Sequence, residues 1–523
     1  MSYNSFIYLF VFLGTVWLFW ALLPQKWRPL ALLAGSMIFY VATARRYVVF
    51  LLLAAGVTWA AGLLLGRLDE LQAATGPSLP APERKALKKR ISAMKKGGVA
   101  VGAAALLGLL LWLKYLPFAL RSTNTLLARL PGHVSITVPN YVLPLGLSFF
   151  SLMAVSYVVD CYRGTAKPAA HYWQVLLYLS FWPHVVEGPF DRFATVAPTL
   201  FDPPRPSYRA VTFGAQRIVW GMFKKVVIAD RANMYVKAVF DDWTKYSGAA
   251  IVVGTLLYTL QLYTEFSGCM DIVLGSAEAF GVPLAENFRQ PFLSKTVGEF
   301  WRRWHITLGA WLREYLFQPL VISKPMMRLG KFCRGKFGAA AGRNWPVWIS
   351  LCLTWAAIGL WHGAGWIYLL YGMYYFAIQF LGELAEPTLL KLLPRLPGWR
   401  KTKGYQLFQV LRTFALVNLG MLLFRANGAQ AALQMLRSLA TPYAGSLLIK
   451  LDARDLAVLA LGALFLLGVD LWQARHGVGL RQAVEKKPLP VRWGIYIGVV
   501  LLIMVFGAYG DNYDPAAFIY AQF

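Results

Sequence analysis

Apolar residues in this chain come in long unbroken runs, without the short alternation of a strand or the one-faced stripe of a surface helix. Phe6 to Leu23, Tyr47 to Gly66, Gly97 to Leu113, Leu456 to Trp472 and Gly494 to Gly507 are nearly charge-free and approach the ~20 residues with which a helix crosses a bilayer. With Pro29 to Ala44 as a further span, they predict an all-α, polytopic integral membrane protein. Two more runs, Gln174 to Pro189 and Phe213 to Ala229, are interrupted by His184, Glu187, Lys224 and Lys225, which predicts short, tilted or re-entrant helices. Such breaks are tolerated at membrane depth only inside protein or beside a wet cavity, so they hint at an internal site. Lys295 to Leu320 reads as one amphipathic helix, with Trp301, Trp304, His305, Leu308, Trp311 and Leu312 on one face and Arg303, Thr307 and Glu314 on another. Ser323 to Arg343, rich in Gly and Lys/Arg, reads as a cytoplasmic loop.

Composition agrees with the pattern: 58% of residues are hydrophobic and 15% charged, with a mean hydropathy of +0.50, which excludes an ordinary soluble domain. The net charge, 52 − 24 = +28, gains its meaning from position. Arg67 to Lys96 carries eight basic and three acidic residues, and Glu286 to Arg343 eleven and three. Basic blocks beside apolar runs belong in the cytoplasm, where they meet anionic membrane lipid and draw in a phosphate-bearing acyl donor. No nucleic-acid partner is implied. Three spans before Arg67 put the amino terminus outside; Leu392 to Lys403 and Gln473 to Arg492 then fall inside, and Asn427 to Lys450 and the tail around Asp511 and Asp514 outside. Met1 to Ser5 lacks basic residues, so the first apolar run reads as a retained helix rather than a cleaved signal. Cys161, Cys269, Cys333 and Cys352 are far apart without a CxxC pair, which supports neither a disulfide framework nor a metal site. The inverted repeat of many transporters is missing.

Candidate chemistry is sparse. One of six histidines, His362, ends the apolar run Pro346 to Trp361, and an ionisable residue at membrane depth is by default a functional hypothesis. Gly359 and Gly365, three residues to either side, would leave an open slot beside the imidazole if the helix continues. The competing reading is a histidine hydrogen-bonded between helices, and His305 on its tryptophan-rich face is the weaker candidate. There is no GxSxG elbow, HExxH pair or Walker A loop. His184 and Asp191, seven apart, are too distant for an acid/base pair on one helical turn. Asp271, Asp470 and Glu265 are candidate ion carriers, so transport stays open beside acyl transfer, as does a non-catalytic scaffold of an envelope polymer complex.

Taken together, Phe266-Ser267-Gly268 through Asp271, Glu286-Asn287-Phe288, Glu299 through Leu308 and Gly359-Leu360-Trp361-His362-Gly363-Ala364 resemble the membrane-bound O-acyltransferase (MBOAT) family. Within it they are similar to the branch containing the alginate O-acetyltransferase membrane subunit, and to the D-alanine exporter of teichoic acid synthesis. Pro144 to Phe150, Asp160 to Gly164, Gly188-Pro189 and Phe518-Ile519-Tyr520 extend the likeness over most of the chain from about Tyr141. Cys269, Met270 and Tyr375 stand where that branch often carries Tyr, Ser and His. The resemblance implies one membrane-embedded domain over 1–523, with amino-terminal helices over 1–140, a core over 141–382 and carboxy-terminal helices over 383–523. It implies a ring of tilted helices around a thin centre crossed by a tunnel. It also implies that His362 is catalytic as a general base and that His305 is a second histidine near the reaction chamber. Ser267, Asp271, Asn287, Arg303, Trp304, Gly359, Trp361 and Gly365, from the same motifs, are the substrate-binding candidates. No metal or bound cofactor is implied. The co-substrate would be an acyl thioester such as acetyl-CoA or an acyl carrier protein, and the acceptor an extracytoplasmic polysaccharide, a cell-wall polymer or a partner protein that takes the acyl group first.

Overall fold

The computed structural model describes residues 1–130, 134–392, 398 and 402–509. Regular structure among them is helical, and the one extended pairing is an isolated antiparallel bridge between Phe288 and Trp304. The chain divides into two compact units, Met1–Ile218 with Val273–Ala285, and Val219–Ile272 with Glu286–Phe523.

In the first unit a π-helical stretch, Ile7–Phe12, leads into α1 (Leu13–Leu22), then α2 (Arg28–Ala44), α3 (Val48–Thr75), α4 (Ala81–Leu110), α5 (Leu147–Arg163), the short α6 (Tyr172–Ser180) and α7 (Trp182–Val185), and α8 (Phe193–Phe201). The interrupted run at Gln174 to Pro189 thus forms short helices, as its pattern predicts. α3 packs against α4, α5 and α6, and small residues set how near they come: a Cβ on Gly62 would lie 2.7 Å from the Tyr157 hydroxyl, which accepts the Ala169 N–H at 2.8 Å. Trp182, fully buried, meets Phe12 and Phe280 edge-on at 5.5 and 5.3 Å. The loop after α7 brings His184 Nδ1 to 3.8 Å from Asp191 Oδ2. Seven residues of separation are too many for one helical turn, but a chain reversal closes the gap that a helix would leave open.

α9 (Tyr208–Met222), the π stretch Phe223–Ala229, α10 (Asp230–Asp241) and α11 (Gly248–Ala279) follow. In the second unit the π stretch lies against α11, where a Cβ on Gly221 would be 2.4 Å from the Gly268 carbonyl oxygen. That approach brings two buried lysines onto α11: Lys224 pairs with Asp271 at 2.5 Å and Lys225 with Glu265 at 2.9 Å and Asp230 at 2.8 Å. Buried cations are retained when paired in this way. The unit is completed by α12 (Val297–Arg303), α13 (Ile306–Leu312), α14 (Lys324–His362), α15 (Trp366–Leu392), α16 (Lys403–Arg425), α17 (Ala453–His476) and α18 (Leu489–Phe506), with α14 packed along α15, and α15 on α16.

Six helical stretches among the described residues are long and apolar enough to cross a membrane: Gln25–Ser78, Ala81–Leu127, Gly248–Ala279, Lys403–Arg425, Ala453–His476 and Leu489–Phe506, with Ile7–Leu22 a shorter apolar helix. The protein is an all-α, multi-pass membrane protein.

Two expectations are corrected, and a third segment takes a form that its charge alone leaves open. The basic stretch Arg67 to Lys96 is mostly helix, because α3 runs on to Thr75 and α4 begins at Ala81; Lys, Arg and Glu are good helix formers and carry the helices beyond the apolar runs. Ser323 to Arg343 is likewise the start of α14, bent back at Gly338 (φ 88°, ψ 176°), a conformation essentially reserved for glycine. Lys295 to Leu320 is broken at His305 into α12 and α13, with a π stretch Arg313–Phe317 beyond. Of the expected apolar face, Trp304, His305, Leu308, Trp311 and Leu312 are buried and Trp301 partly so, while Thr307, expected on the other face, is buried as well. The tail at Asp511, Asp514 and Phe518 to Tyr520, and most of the basic segment from Leu392 to Lys403, lie outside the described residues.

Candidate active site

The break at His305 begins with the chain on its other side. The residues 287–289 run antiparallel to 303–306: the Arg289 N–H donates to the Arg303 carbonyl at 3.0 Å and the Ile306 N–H to the Asn287 carbonyl at 3.0 Å. These bonds take the place of helical ones, so α12 stops and His305 adopts φ 49°, ψ 52°, a left-handed conformation that a non-glycine residue holds only when its surroundings impose it. α12 is anchored at its start by Thr296, whose hydroxyl caps the Glu299 N–H at 3.0 Å, while the Glu299 carboxylate reaches back to the Lys295 N–H at 2.8 Å. The two ends of α12 are thereby fixed, and with them the position of His305.

His362 is the last residue of α14; Gly363 is extended (φ −169°, ψ 148°), and α15 begins at Trp366. The slot expected between Gly359 and Gly365 is absent. A Cβ on Gly359 would sit 2.2 Å from the Tyr368 carbonyl oxygen, and one on Gly372 2.2 Å from that of Trp355, so the glycines of α14 and α15 bring the two backbones together. Gly365 lies beyond the helix end and meets only the Tyr368 ring at ordinary contact distance, 3.5 Å.

The two imidazoles share a neighbour. The Trp361 ring is 5.8 Å from that of His305 and 4.9 Å from that of His362, centre to centre. Phe266 meets His305 edge-on at 4.9 Å, and Tyr371 and Phe424 meet His362 edge-on at 5.8 and 5.1 Å. Trp301, Trp355 and Tyr375 form the next layer, with Trp301 to Tyr375 at 4.9 Å and Trp355 stacked on Tyr375 at 5.4 Å. Both histidines are buried, at 3% and 4% exposure. Burial first, and then the proximity of His362, hold His305 well below the ordinary histidine range; it is neutral at physiological pH and lies outside the spanning helices. Two buried imidazoles in an aromatic surround are suited to moving a proton away from bulk water.

The remaining candidates are engaged within the protein. Asn287 Oδ1 accepts the Thr307 N–H at 3.0 Å and the Thr307 hydroxyl at 2.8 Å, and its amide donates to the Met270 sulfur at 3.2 Å. Ser267 accepts from Lys224 at 2.8 Å, which also holds Asp271. Arg303 pairs with Glu299 at 2.6 Å and donates to the Gln290 carbonyl at 3.3 Å, and Trp304 stacks on Phe300 at 5.4 Å. The structure therefore gathers His305, Trp361 and His362, with Asn287 beside His305. Ser267 and Asp271 occupy a neighbouring stripe of α11, one residue on from Phe266 and Met270. Among the described residues no group of three or more His, Cys, Asp or Glu side chains is disposed to hold a metal ion. The aromatic surround of His362 was not foreseen. Its signal is the spacing of Tyr368, Tyr371 and Tyr375, which puts three tyrosines on adjoining positions of one helical face, although that spacing is also what an aromatic core helix shows.

Comparison with known proteins agrees with the motifs. Residues 142–333 match the model of the MBOAT, membrane-bound O-acyltransferase family. The chain is 31% identical over 443 residues to the "probable alginate O-acetylase AlgI" of Pseudomonas aeruginosa, covering 83% of this chain and 74% of that protein. It is 28% identical over 377 residues to the peptidoglycan O-acetyltransferase of Helicobacter pylori, covering 66% and 65%. With the teichoic acid D-alanyltransferase of Bacillus subtilis it shares 26% over 242 residues, 45% of this chain and 58% of that one. The chain belongs to the membrane-bound O-acyltransferase family and is an O-acyltransferase of the membrane.

Proposed function

We propose that the protein moves an acetyl group from a cytoplasmic thioester, acetyl-CoA or an acylated carrier protein, to a hydroxyl of an extracytoplasmic polysaccharide or of a partner protein that passes it on. The observation that carries this reading is the pair of buried imidazoles that share Trp361 as a neighbour. His362 removes the proton of the acceptor hydroxyl as its oxygen attacks the thioester carbonyl. The new C–O bond forms, the C–S bond breaks, and the imidazolium returns the proton to the departing thiolate. General-base assistance of this kind supplies ~10²- to 10⁴-fold, and holding both reactants in a dry site adds an orientational gain. The names of the relatives, which act on alginate and peptidoglycan, support acetyl as the group and a hydroxylated envelope polymer as the final acceptor. Asp271 and Glu265, the residues on which transport would depend, are held by Lys224 and Lys225, and no other observation favours transport.

The test is purified protein with acetyl-CoA labelled in the acetyl group and a soluble polysaccharide acceptor. Label on the polymer, lost in His362→Ala, is the expected result. Movement of unmodified polymer without label transfer would overturn it.

A further inference from the structure

We infer that Asn287 is a positioning residue that sets the tautomer of His305, keeping its hydrogen on Nδ1 and leaving Nε2 as the acceptor of the ring. For its catalytic meaning this rests on the acyl-transfer reading above.

The Thr307 N–H only donates, so the Asn287 side-chain atom it meets at 3.0 Å is oxygen and not the amide nitrogen. The Thr307 hydroxyl, 2.8 Å from the same oxygen, and the Met270 thioether, which accepts from the Asn287 amide at 3.2 Å, agree with that orientation. An exchange of the oxygen and nitrogen of Asn287 is thereby excluded, which is the ordinary ambiguity for this side chain. The oriented oxygen lies 3.3 Å from His305 Nδ1. An amide oxygen has no hydrogen to give, and a ring lone pair aimed at it would be repelled, so Nδ1 carries the hydrogen. The main chain of Asn287 acts in the same sense, since its carbonyl accepts the Ile306 N–H. One residue therefore holds both the strained backbone of His305 and the protonation pattern of its ring.

The tautomer limits what His305 does. With a lone pair on Nε2 and no hydrogen there, the neutral ring receives a hydrogen bond at that atom and cannot give one. In that form it cannot stabilise the negative oxygen that develops on the thioester carbonyl, which needs a donor. Asn287 itself is enclosed at 1% exposure and lies against His305, so it acts through that ring.

Only six histidines occur in the chain, so histidine-selective ¹⁵N labelling gives a spectrum that His305→Gln assigns at one position. The wild-type His305 signal should show the Nδ1–H tautomer; Asn287→Asp, which keeps the acceptor oxygen, should preserve it; Asn287→Leu should lose it. Turnover should fall on the order of 10- to 100-fold in Asn287→Leu, as when a group orienting a working histidine is removed, through kcat and with little change in KM for acetyl-CoA. Asn287→Asp should recover most of that loss with the acid limb of its pH profile moved to higher pH, because a carboxylate beside Nδ1 favours the imidazolium. His362 is the titratable group that acts on this ring, so the movement is checked against the His362 signal in the same spectra. An Nε2–H tautomer in the wild type, or an Asn287→Leu protein with unchanged tautomer and turnover, would overturn the inference. If Asn287→Leu fails to fold, the wild-type tautomer and the Asn287→Asp pH profile still decide it. A correct tautomer in a protein that transfers no acyl group would sink the proposed function alone, and robust His362-dependent transfer with the wrong tautomer would sink this inference alone.

Discussion

Replacement of His362 by alanine should lower turnover by about 10²- to 10⁴-fold with little effect on donor affinity, because a general base acts on the transition state. His305→Ala should reduce the rate less, and His305→Gln, whose side-chain oxygen still accepts a hydrogen bond, should recover more than His362→Gln, which cannot take up and carry a proton. Acyl transfer and donor binding, measured for all four variants, check this, and high turnover by His362→Ala would remove the mechanism. Stability offers an independent check on His305. Its pKa in the folded protein lies well below the ordinary 6.5, so between those two values the unfolded chain binds a proton that the folded protein does not. Stability therefore falls as pH drops below about 6.5 and is unaffected by this group above it. Melting curves from pH 7.5 to 5 should show a shallower decline in His305→Gln than in the wild type, and identical slopes would show that burial does not restrain this ring.

Between elements, the joint of α14 and α15 is held by backbone contact, and the two glycines near His362 should respond in opposite ways. Gly359→Ala drives a methyl into the Tyr368 carbonyl and should cost about 1–3 kcal/mol of stability, seen as a lower Tm and a loss of activity that follows the loss of folded protein. Gly365→Ala has room and should stay within about 0.5 kcal/mol of the wild type. Equal tolerance at both sites would mean that the helices are further apart than described. The long spans were legible because twenty apolar residues admit few other fates. The break at His305 was not. Nothing in the local pattern from Lys295 to Leu320 marks a left-handed residue, and the cause lies at Asn287 to Arg289, whose hydrogen bonds to residues 303–306 are long-range. Gly359 was legible as a special position and misread in kind, since a missing side chain serves a ligand and a neighbouring helix equally well.

At the scale of the whole chain, the basic segments set orientation. Single cysteines placed in Arg67 to Lys96 and in Lys324 to Arg343 should resist an impermeant thiol reagent in intact cells and react after permeabilisation, since clustered Lys and Arg resist translocation; labelling of either segment in intact cells would reverse the topology. The family was legible from motifs spread over most of the chain. The arrangement of Ser267 and Asp271 was not, because a motif says which residues travel together and is silent on which face of a helix each one takes. The motif makes Asp271 a substrate or ion candidate, and in the fold it pairs with Lys224.

The lysine pairs carry a consequence for biogenesis. Lys224 and Lys225 are synthesised about forty residues ahead of Glu265 and Asp271, so while the ribosome is still making α11 the earlier segment holds cations without those later anions. A translocon that releases segments singly into lipid would strand them, and the arrangement therefore requires the segment around Phe223–Ala229 to be retained until α11 emerges and the two can leave together. Lys224→Met and Asp271→Leu should each lower the yield of membrane-integrated protein, since breaking a buried pair costs about 3–5 kcal/mol, whereas the double variant, in which neither of these two charges is left without its partner, should integrate better than either. If pulse-labelled Lys224→Met and Asp271→Leu chains mature as fast as the wild type, the pairing belongs to the finished fold alone and plays no part in the order of its assembly.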